Sequence, residues 1–226
     1  MITVHHLNNS RSQRILWMLE ELDIDYQIKH YQRDKETQLA PPELFEIHPL
    51  GKSPVITDES KKTPITVAES GAIIEYLASN YGKHLIPRKN SQAYRDYIYW
   101  LHFSEGSLMP QLLLKLIFDK IKTSPMPFFI RPIAKAIANK VLHNYVEPNV
   151  KNNMKFIEQH LSQTPWFAGE KMTGADIQMS FPLEASLSRT KNNDYPAIKG
   201  YVTKIQALDA YKKALEKGGP YDYALS

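Results

Sequence analysis

The chain has 226 residues, 42% of them hydrophobic and 23% charged, which is the balance of one large globular domain or two small ones and excludes a disordered or fibrous protein. It contains no cysteine, so disulfides, thiolate metal sites, CxxC redox chemistry and a cysteine nucleophile are all excluded. The formal charge of +4 arises from 28 basic against 24 acidic residues, many interleaved as in Arg33-Asp34-Lys35-Glu36, so no concentrated basic face points to nucleic acid.

Ile2-Thr3-Val4 opens a short strand, and Asn8-Asn9-Ser10 after it is helix-capping chemistry. Ile15, Met18, Leu19 and Leu22 then recur at helical spacing, and Tyr26 to Tyr31 alternates as a second strand. A β-α-β start of this kind favours parallel pairing through a right-handed crossover. A proline-rich loop with a short helical segment follows (Pro41, Pro42, Pro49). Residues 53–57 and 63–67 read as two strands of a hairpin around the polar stretch 58–62, and Ser70, Ile73, Ile74 and Leu77 mark a helix. The order is β-α-β-α-β-β-α over residues 1–82, with a linker at 83–89.

Residues 90–226 read as an all-helical bundle, so the fold class is an α/β domain followed by an all-α domain. Its apolar stripes are Tyr94, Ile98, Leu101, Leu108, Leu112; then Ile133, Ile137, Val141; then Val150, Met154, Ile157, Leu161. Thr173-Gly174-Ala175-Asp176 has capping-box form, Pro196 suits a first helical turn, and Gly218-Gly219-Pro220 stops the last helix. The start of the chain has no basic segment followed by an apolar run, and no stretch approaches the roughly 18–20 apolar residues of a membrane span. A soluble, cytoplasmic protein is the expectation.

Four features of the first domain point to one ligand site. Asn8-Asn9-Ser10-Arg11 stands where a helix N-terminus offers free N–H groups and positive potential to an anion, although capping alone accounts for Asn9 and Ser10. Pro54 cannot donate to a ladder and suits a cis bond, and Lys52 beside it can meet a carboxylate. Glu69 and Ser70 begin a helix and suit an ammonium and a carboxylate respectively, or a plain cap. Gln38 lies in the preceding loop. No metal constellation stands out: His5 and His6 point to opposite faces of a strand, and His102 with Glu105 is only a pair. GxGxxG, P-loop and GxSxG patterns are absent.

Taken together, Pro54 before the third strand, Glu69-Ser70 after the fourth and Thr173-Gly174-Ala175-Asp176 in a helical second domain resemble the glutathione S-transferases, with a thioredoxin-like first domain. The likeness spans essentially the whole chain, and Val4 to Ser12 and Tyr99 to Pro110 are similar to a bacterial and fungal branch. The resemblance implies a glutathione co-substrate and no metal. Glu69 and Ser70 would hold the γ-glutamyl end, with Glu105 near its amine. Ser53, Pro54 and the Val55 backbone would hold the cysteinyl part, with Lys52 and Gln38 on the glycyl carboxylate. His5 stands where tyrosine-using classes carry theirs, and the resemblance to classes that place a serine just before the first helix implies Ser10 as the thiol's hydrogen-bond donor, with Asn9 in reserve and Arg11 as an electrostatic helper. A hydrophobic electrophile and a homodimer are implied as partners. Tyr97, Trp100, Phe103 and Leu112 are candidates for the electrophile pocket, together with Tyr94 and Phe128-Phe129-Ile130, and each also suits core packing. The basic, apolar stretch from Leu112 to Val141 suits a dimer interface, a pocket wall or a membrane surface, broken by Pro125, Pro127 and Pro132.

Overall fold

A computed structural model describes residues 1–188 and 195–224. Four strands form one mixed sheet: β1 (Ile2–Leu7), β2 (Tyr26–Tyr31), β3 (Val55–Asp58) and β4 (Ile65–Ala68), in the order β2-β1-β3-β4. β1 runs parallel to β2, Ile2 opposite Tyr26, because α1 (Ser12–Glu21) carries the chain back over the sheet. β3 is antiparallel to both β1 and β4, with Val55 opposite His5 on one side and Ala68 on the other. Between β2 and β3 the expected helix is only a 3-10 turn, Pro42–Glu46. Pro41 and Pro42 remove two donors there, and a five-residue piece is too short for a second turn. Its Leu44 closes a small cluster with Leu7 and Tyr31.

α2 (Ser70–Tyr81) follows β4, and the segment to α3 (Gln92–Phe103) contains one 3-10 turn, Lys83–Leu85. The long apolar stripe of the second domain is two helices, α3 and α4 (Met109–Thr123), joined by a π turn at Ser104–Leu108. α5 (Arg131–Val141) and α6 (Glu147–Leu161) are joined the same way at Leu142–Val146, and α7 (Gly174–Leu187), α8 (Pro196–Gln206) and α9 (Asp209–Gly218) complete the bundle. The Ile133–Ile137–Val141 stripe does not face the core: Ile133 and Ile137 are exposed, and α5 instead buries Ala138.

The core is continuous across both halves. Ile15 through Leu19 of α1 are fully buried because α1 lies against α7 and α9 as well as the sheet. α7 is buried from Gly174 to Ser186, a central helix that takes Asp176, Gln178 and Glu184 into the core with it. Its N-terminus is closed by the capping box anticipated at Thr173 and Asp176. The Asp176 carboxylate accepts from the backbone N–H groups of Phe167 (2.9 Å) and Thr173 (2.8 Å) and from the Tyr201 hydroxyl (3.0 Å). Burial pushes its pKa up to about 6 despite those bonds. Among the described residues no helix is long and apolar enough to cross a membrane.

Candidate functional site

Among the described residues α3 and α7 begin with a capping-residue side chain on a helix N–H, and α1 and α2 are among the helices that do not. Asn9, at φ 49°, turns the chain between β1 and α1, and among the described residues the N–H groups of Asn9, Ser10 and Arg11 have no hydrogen-bond partner. A helix start with unmatched donors carries positive potential outward. The side chains of this turn are engaged in three different ways.

Ser10 is buried, and its Oγ lies 2.7 Å from Ser12 Oγ while accepting from the Ser12 N–H at 3.1 Å. Ser12 Oγ in turn lies 2.9 Å from His6 Nδ1. Burial first, and His30 beside it, push the His6 pKa down to about 4, against a hydrogen bond to the Gly218 backbone. Ser12 Oγ also lies 3.2 Å from the Leu7 carbonyl, so the hydroxyl expected to face a thiol is tied into a buried Ser10–Ser12–His6 network. Asn9 is held by the C-terminal segment: its Nδ2 donates to Asp222 Oδ2 at 2.7 Å and its Oδ1 accepts from the Asp222 N–H at 2.9 Å. Arg11 turns toward Glu105, donating from Nε to both carboxylate oxygens (3.0 and 3.2 Å), and its terminal nitrogens make no hydrogen bond among the described residues.

Glu105 sits in the π turn, whose extra residue takes it out of the apolar stripe of α3 and α4. Burial alone would raise its pKa, but Arg14 and Arg11 beside it hold it below the usual carboxylate range. Arg14, fully buried on α1, donates from Nη2 to Glu105 (2.7 Å) and to Ser70 Oγ (2.8 Å). Gln178 Nε2 points to the same Ser70 oxygen at 3.4 Å. With donors on both lone-pair positions, Ser70 keeps its proton for a ligand acceptor. Glu69, just before it, is held at φ 70°, outside the region where a non-glycine residue rests comfortably. Glu69, Glu75, Glu105, Leu101, His102 and Gln178 line a cleft of about 530 Å³, and the buried Gln178 Oε1 is unpartnered. Three carboxylates around an unmatched amide oxygen suit a cation, while the open start of α2 and the Ser70 proton suit an anion beside it.

The Ser53–Pro54 peptide is cis, and Ser53 Oγ donates to the His5 carbonyl at 2.8 Å. Val55 is not open as expected: it lies inside the ladder, and the chain leaves the ladder only at Ser53 and Pro54. Ser53 makes no backbone hydrogen bond among the described residues. Lys52 is exposed, and Gln38, at φ 62°, donates to the Lys35 carbonyl of its own loop. Tyr97, Trp100, Phe103 and Leu112 do not line the cleft; they are buried in the core, Trp100 against Phe156, His160 and Phe167. Phe128, Phe129 and Ile130 lie exposed between α4 and α5. Two residues of the site escaped the sequence argument, Arg14 and Gln178. Their signal was a polar side chain inside an otherwise apolar helix, which the capping and loop motifs do not carry. Among the described residues no three histidine or acidic side chains are placed to hold a metal.

Comparison with known proteins gives one consistent set of matches. The family model described as glutathione S-transferase, N-terminal domain, matches residues 1–79, and that for the C-terminal domain matches residues 121–209. Glutathione S-transferase 1 of Saccharomyces cerevisiae is 37% identical over 223 residues, covering 96% of this chain and 95% of its own length. Glutathione S-transferase 3 of Schizosaccharomyces pombe is 38% identical over 219 residues, 96% of this chain and 88% of its own. A crystal structure of a glutathione S-transferase from Actinobacillus pleuropneumoniae superimposes with a TM-score of 0.78 at 35% identity, covering 99% of this chain and 95% of that one.

Proposed function

The chain belongs to the glutathione S-transferase family, and on that premise we propose that it joins the thiolate of glutathione to hydrophobic electrophiles. The observation that carries this is Ser70: its two acceptor positions face Arg14 and Gln178, so its proton is available to a carboxylate at the open end of α2. The γ-glutamyl carboxylate takes that proton and the first N–H groups of α2, and its ammonium takes Glu69 and the outer oxygen of Glu105. Ser53, outside the ladder beside the cis bond, offers its peptide group to the cysteinyl part, and Lys52 meets the glycyl carboxylate.

The sulfur then lies over the turn from Asn9 to Arg11. The unmatched N–H groups there and the free nitrogens of Arg11 favour the thiolate, because both interact more strongly with a charged sulfur than with a neutral thiol. Ser10 reaches the sulfur only by breaking its bond to Ser12. Asn9 acts through the shape of the turn, since its amide is held by Asp222. A shift of about two units below 8.5 makes thiolate the majority species at neutral pH. Attack on an electrophilic carbon then forms the thioether, and the displaced group leaves with its electron pair. The same thiolate can attack an organic peroxide, breaking the O–O bond and releasing the alcohol, and a second glutathione then converts the sulfenic acid to the disulfide and water; a homodimer is the expected assembly.

A second reading is favoured by one observation, the Ser10 hydroxyl tied to Ser12: a protein that holds glutathione without activating it. The ultraviolet difference spectrum of bound glutathione, titrated from acid to alkaline pH, separates the two. A thiolate band titrating well below 8.5, moved upward by Arg11→Ala and little by Ser10→Ala, supports the enzyme. Saturable binding with an unshifted thiol supports the second reading, and absence of binding overturns both.

A further inference from the structure

The chain after α9 runs back to the turn between β1 and α1. α9 ends close against α1: a Cβ at Gly218 would stand 2.7 Å from Gln13 Oε1 and 2.8 Å from Leu16 Cδ1. Gly219, at φ 83°, then redirects the chain. On this path two tyrosines are anchored to α7. The Tyr221 hydroxyl donates to Glu184 Oε2 at 2.7 Å, and the Tyr223 ring meets edge-on, at 5.4 Å, the same Phe181 ring over which the Arg11 guanidinium lies at 5.5 Å. Asp222, between these anchors, meets Asn9 twice. Its N–H donates to Asn9 Oδ1 at 2.9 Å, and its Oδ2 accepts from Asn9 Nδ2 at 2.7 Å.

Asn9 needs such a hold. Its φ of 49° is left-handed, and an asparagine there is ordinarily steadied by bonding its own neighbouring backbone. Among the described residues the Asn9 amide makes no local bond, and both of its ends are spent on a residue 213 positions away. Asn8 is pinned separately, its N–H donating to the Tyr31 carbonyl at 3.2 Å and its Oδ1 accepting from the Arg33 N–H at 2.8 Å. The turn is thus held at Asn8 by the end of β2 and at Asn9 by the segment after α9. Successive N–H groups such as those of Asn9, Ser10 and Arg11 converge on one anion only while the turn keeps its shape. A carboxylate near a thiolate disfavours it by charge alone. Holding the turn and placing a charge beside it therefore act on the thiol with opposite signs, which makes the role of Asp222 measurable.

We propose that Asp222 is a positioning residue for the glutathione thiol, acting through Asn9 to keep the N–H groups of residues 9–11 on the sulfur. This rests on the reading that the thiol is activated at that turn. Binding and activation then depend on different elements: Ser70 and its neighbours hold the γ-glutamyl end, while the segment after α9 keeps the thiol end in shape.

The test is the ultraviolet titration of bound glutathione, run on the full chain beside calorimetry and thermal unfolding. Asp222→Ala should raise the pKa of the bound thiol by about one unit, a roughly tenfold smaller thiolate fraction below that pKa. Unfolding should stay close to the wild type, as should the affinity measured in acid, where the thiol is protonated. Asp222→Asn keeps an acceptor for Asn9 Nδ2 and removes the charge, so its thiol should titrate at or slightly below the wild-type value. Asn9→Ala should raise the pKa at least as much as Asp222→Ala, and adding Asp222→Ala to it should raise it no further. A fall or no change in Asp222→Ala, an equal rise in Asp222→Asn, or effects that add in the double variant each overturn the proposal. Loss of affinity or of unfolding temperature without a change in thiol pKa makes Asp222 a structural contact and overturns it too. A wild-type thiol titrating near 8.5 overturns the activation reading and this proposal with it. One titrating well below 8.5 and unmoved by Asp222→Ala overturns this proposal alone.

Discussion

The start of α7 and the starts of α1 and α2 solve the same problem in opposite ways. At α7 the Thr173 hydroxyl takes the Ala175 N–H, the Asp176 carboxylate takes the N–H groups of Thr173 and Phe167, and the whole cap is buried. At α2 no side chain caps the helix, and before α1, where Ser10 Oγ takes only the Ser12 N–H, the N–H groups of Asn9 to Arg11 stay unmatched; Asn9 and Glu69 stand at positive φ, and the charged groups nearby reach toward a cleft. A closed helix end contributes to stability alone. An open one leaves its donors for a ligand, and the fold around it has to tolerate the strain. The difference assigns stability to the α7 end and binding to the α1 and α2 ends.

Removing the closed cap should have the largest effect. Asp176→Ala leaves the N–H groups of Phe167 and Thr173 and the Tyr201 hydroxyl without an acceptor in a dry site. A loss of about 3 kcal/mol or more is expected, near 10 °C in thermal unfolding, with Asp176→Asn recovering part of it. Unfolding within a degree or two of the wild type would show that the cap is not structural.

The two regions also respond to acid with opposite sign. His6, behind the α1 turn, titrates near 4 in the folded chain and near 6.5 unfolded, so its contribution is present above pH 6.5 and lost as pH falls toward 4. Asp176 titrates near 6 folded and 3.8 unfolded, so the folded chain holds its proton more tightly, and stability falls as pH rises from about 4 to 6. Each amounts to roughly 3 kcal/mol, and in the wild type they offset each other across that window. His6→Gln should make stability decline with rising pH between 4 and 6, and Asp176→Asn should make it decline with falling pH. Two parallel stability–pH curves would show that neither group is perturbed as its surroundings imply.

At the open ends the effect should move from stability to affinity. Ser70→Ala deletes the free donor and leaves Arg14 still bonded to Glu105, so the fold should lose little. A hydrogen bond to a charged group is worth about 1.5–3 kcal/mol, so the dissociation constant for glutathione should rise roughly 10- to 100-fold, measured by calorimetry. An unchanged constant would remove Ser70 from the site.

These residues also mark what the sequence alone could carry. Local signals gave the strands, the hairpin, the Ser53–Pro54 bond, the Thr173–Asp176 box and the Glu69–Ser70 helix start, since each depends on neighbours within a few positions. Arg14 and Gln178 were not legible, because what makes them functional is a meeting at Ser70 of α1, α2 and α7, up to 164 positions apart. The network that holds Ser10 was hidden as well: it runs through Ser12 to His6, whose surroundings include Gly218 at the far end of the chain. The aromatic residues of α3 failed differently. Trp100 and Phe103 have the composition of a pocket wall and of a core, and only their packing against Phe156, His160 and Phe167, far along the chain, decides between them.

The smallest expected effect is the one that separates the two kinds of helix end most sharply. Glu69 stands at φ 70° and ψ 122°, a conformation that costs a residue with a Cβ about 1 kcal/mol or more and a glycine little. Glu69→Gly should therefore leave the folded chain as stable as the wild type or more so, the relief of strain being partly offset by the freedom glycine gains when unfolded. The same change deletes a carboxylate from the cleft and should weaken glutathione binding several-fold. Gly169, at φ 112° with open space where a Cβ would stand, gives the control: Gly169→Ala should lower stability without touching affinity. If Glu69→Gly instead destabilised the chain with affinity intact, Glu69 would belong with Asp176 among the structural caps, and the division between open and closed ends would fail at the residue where it is most exposed to test.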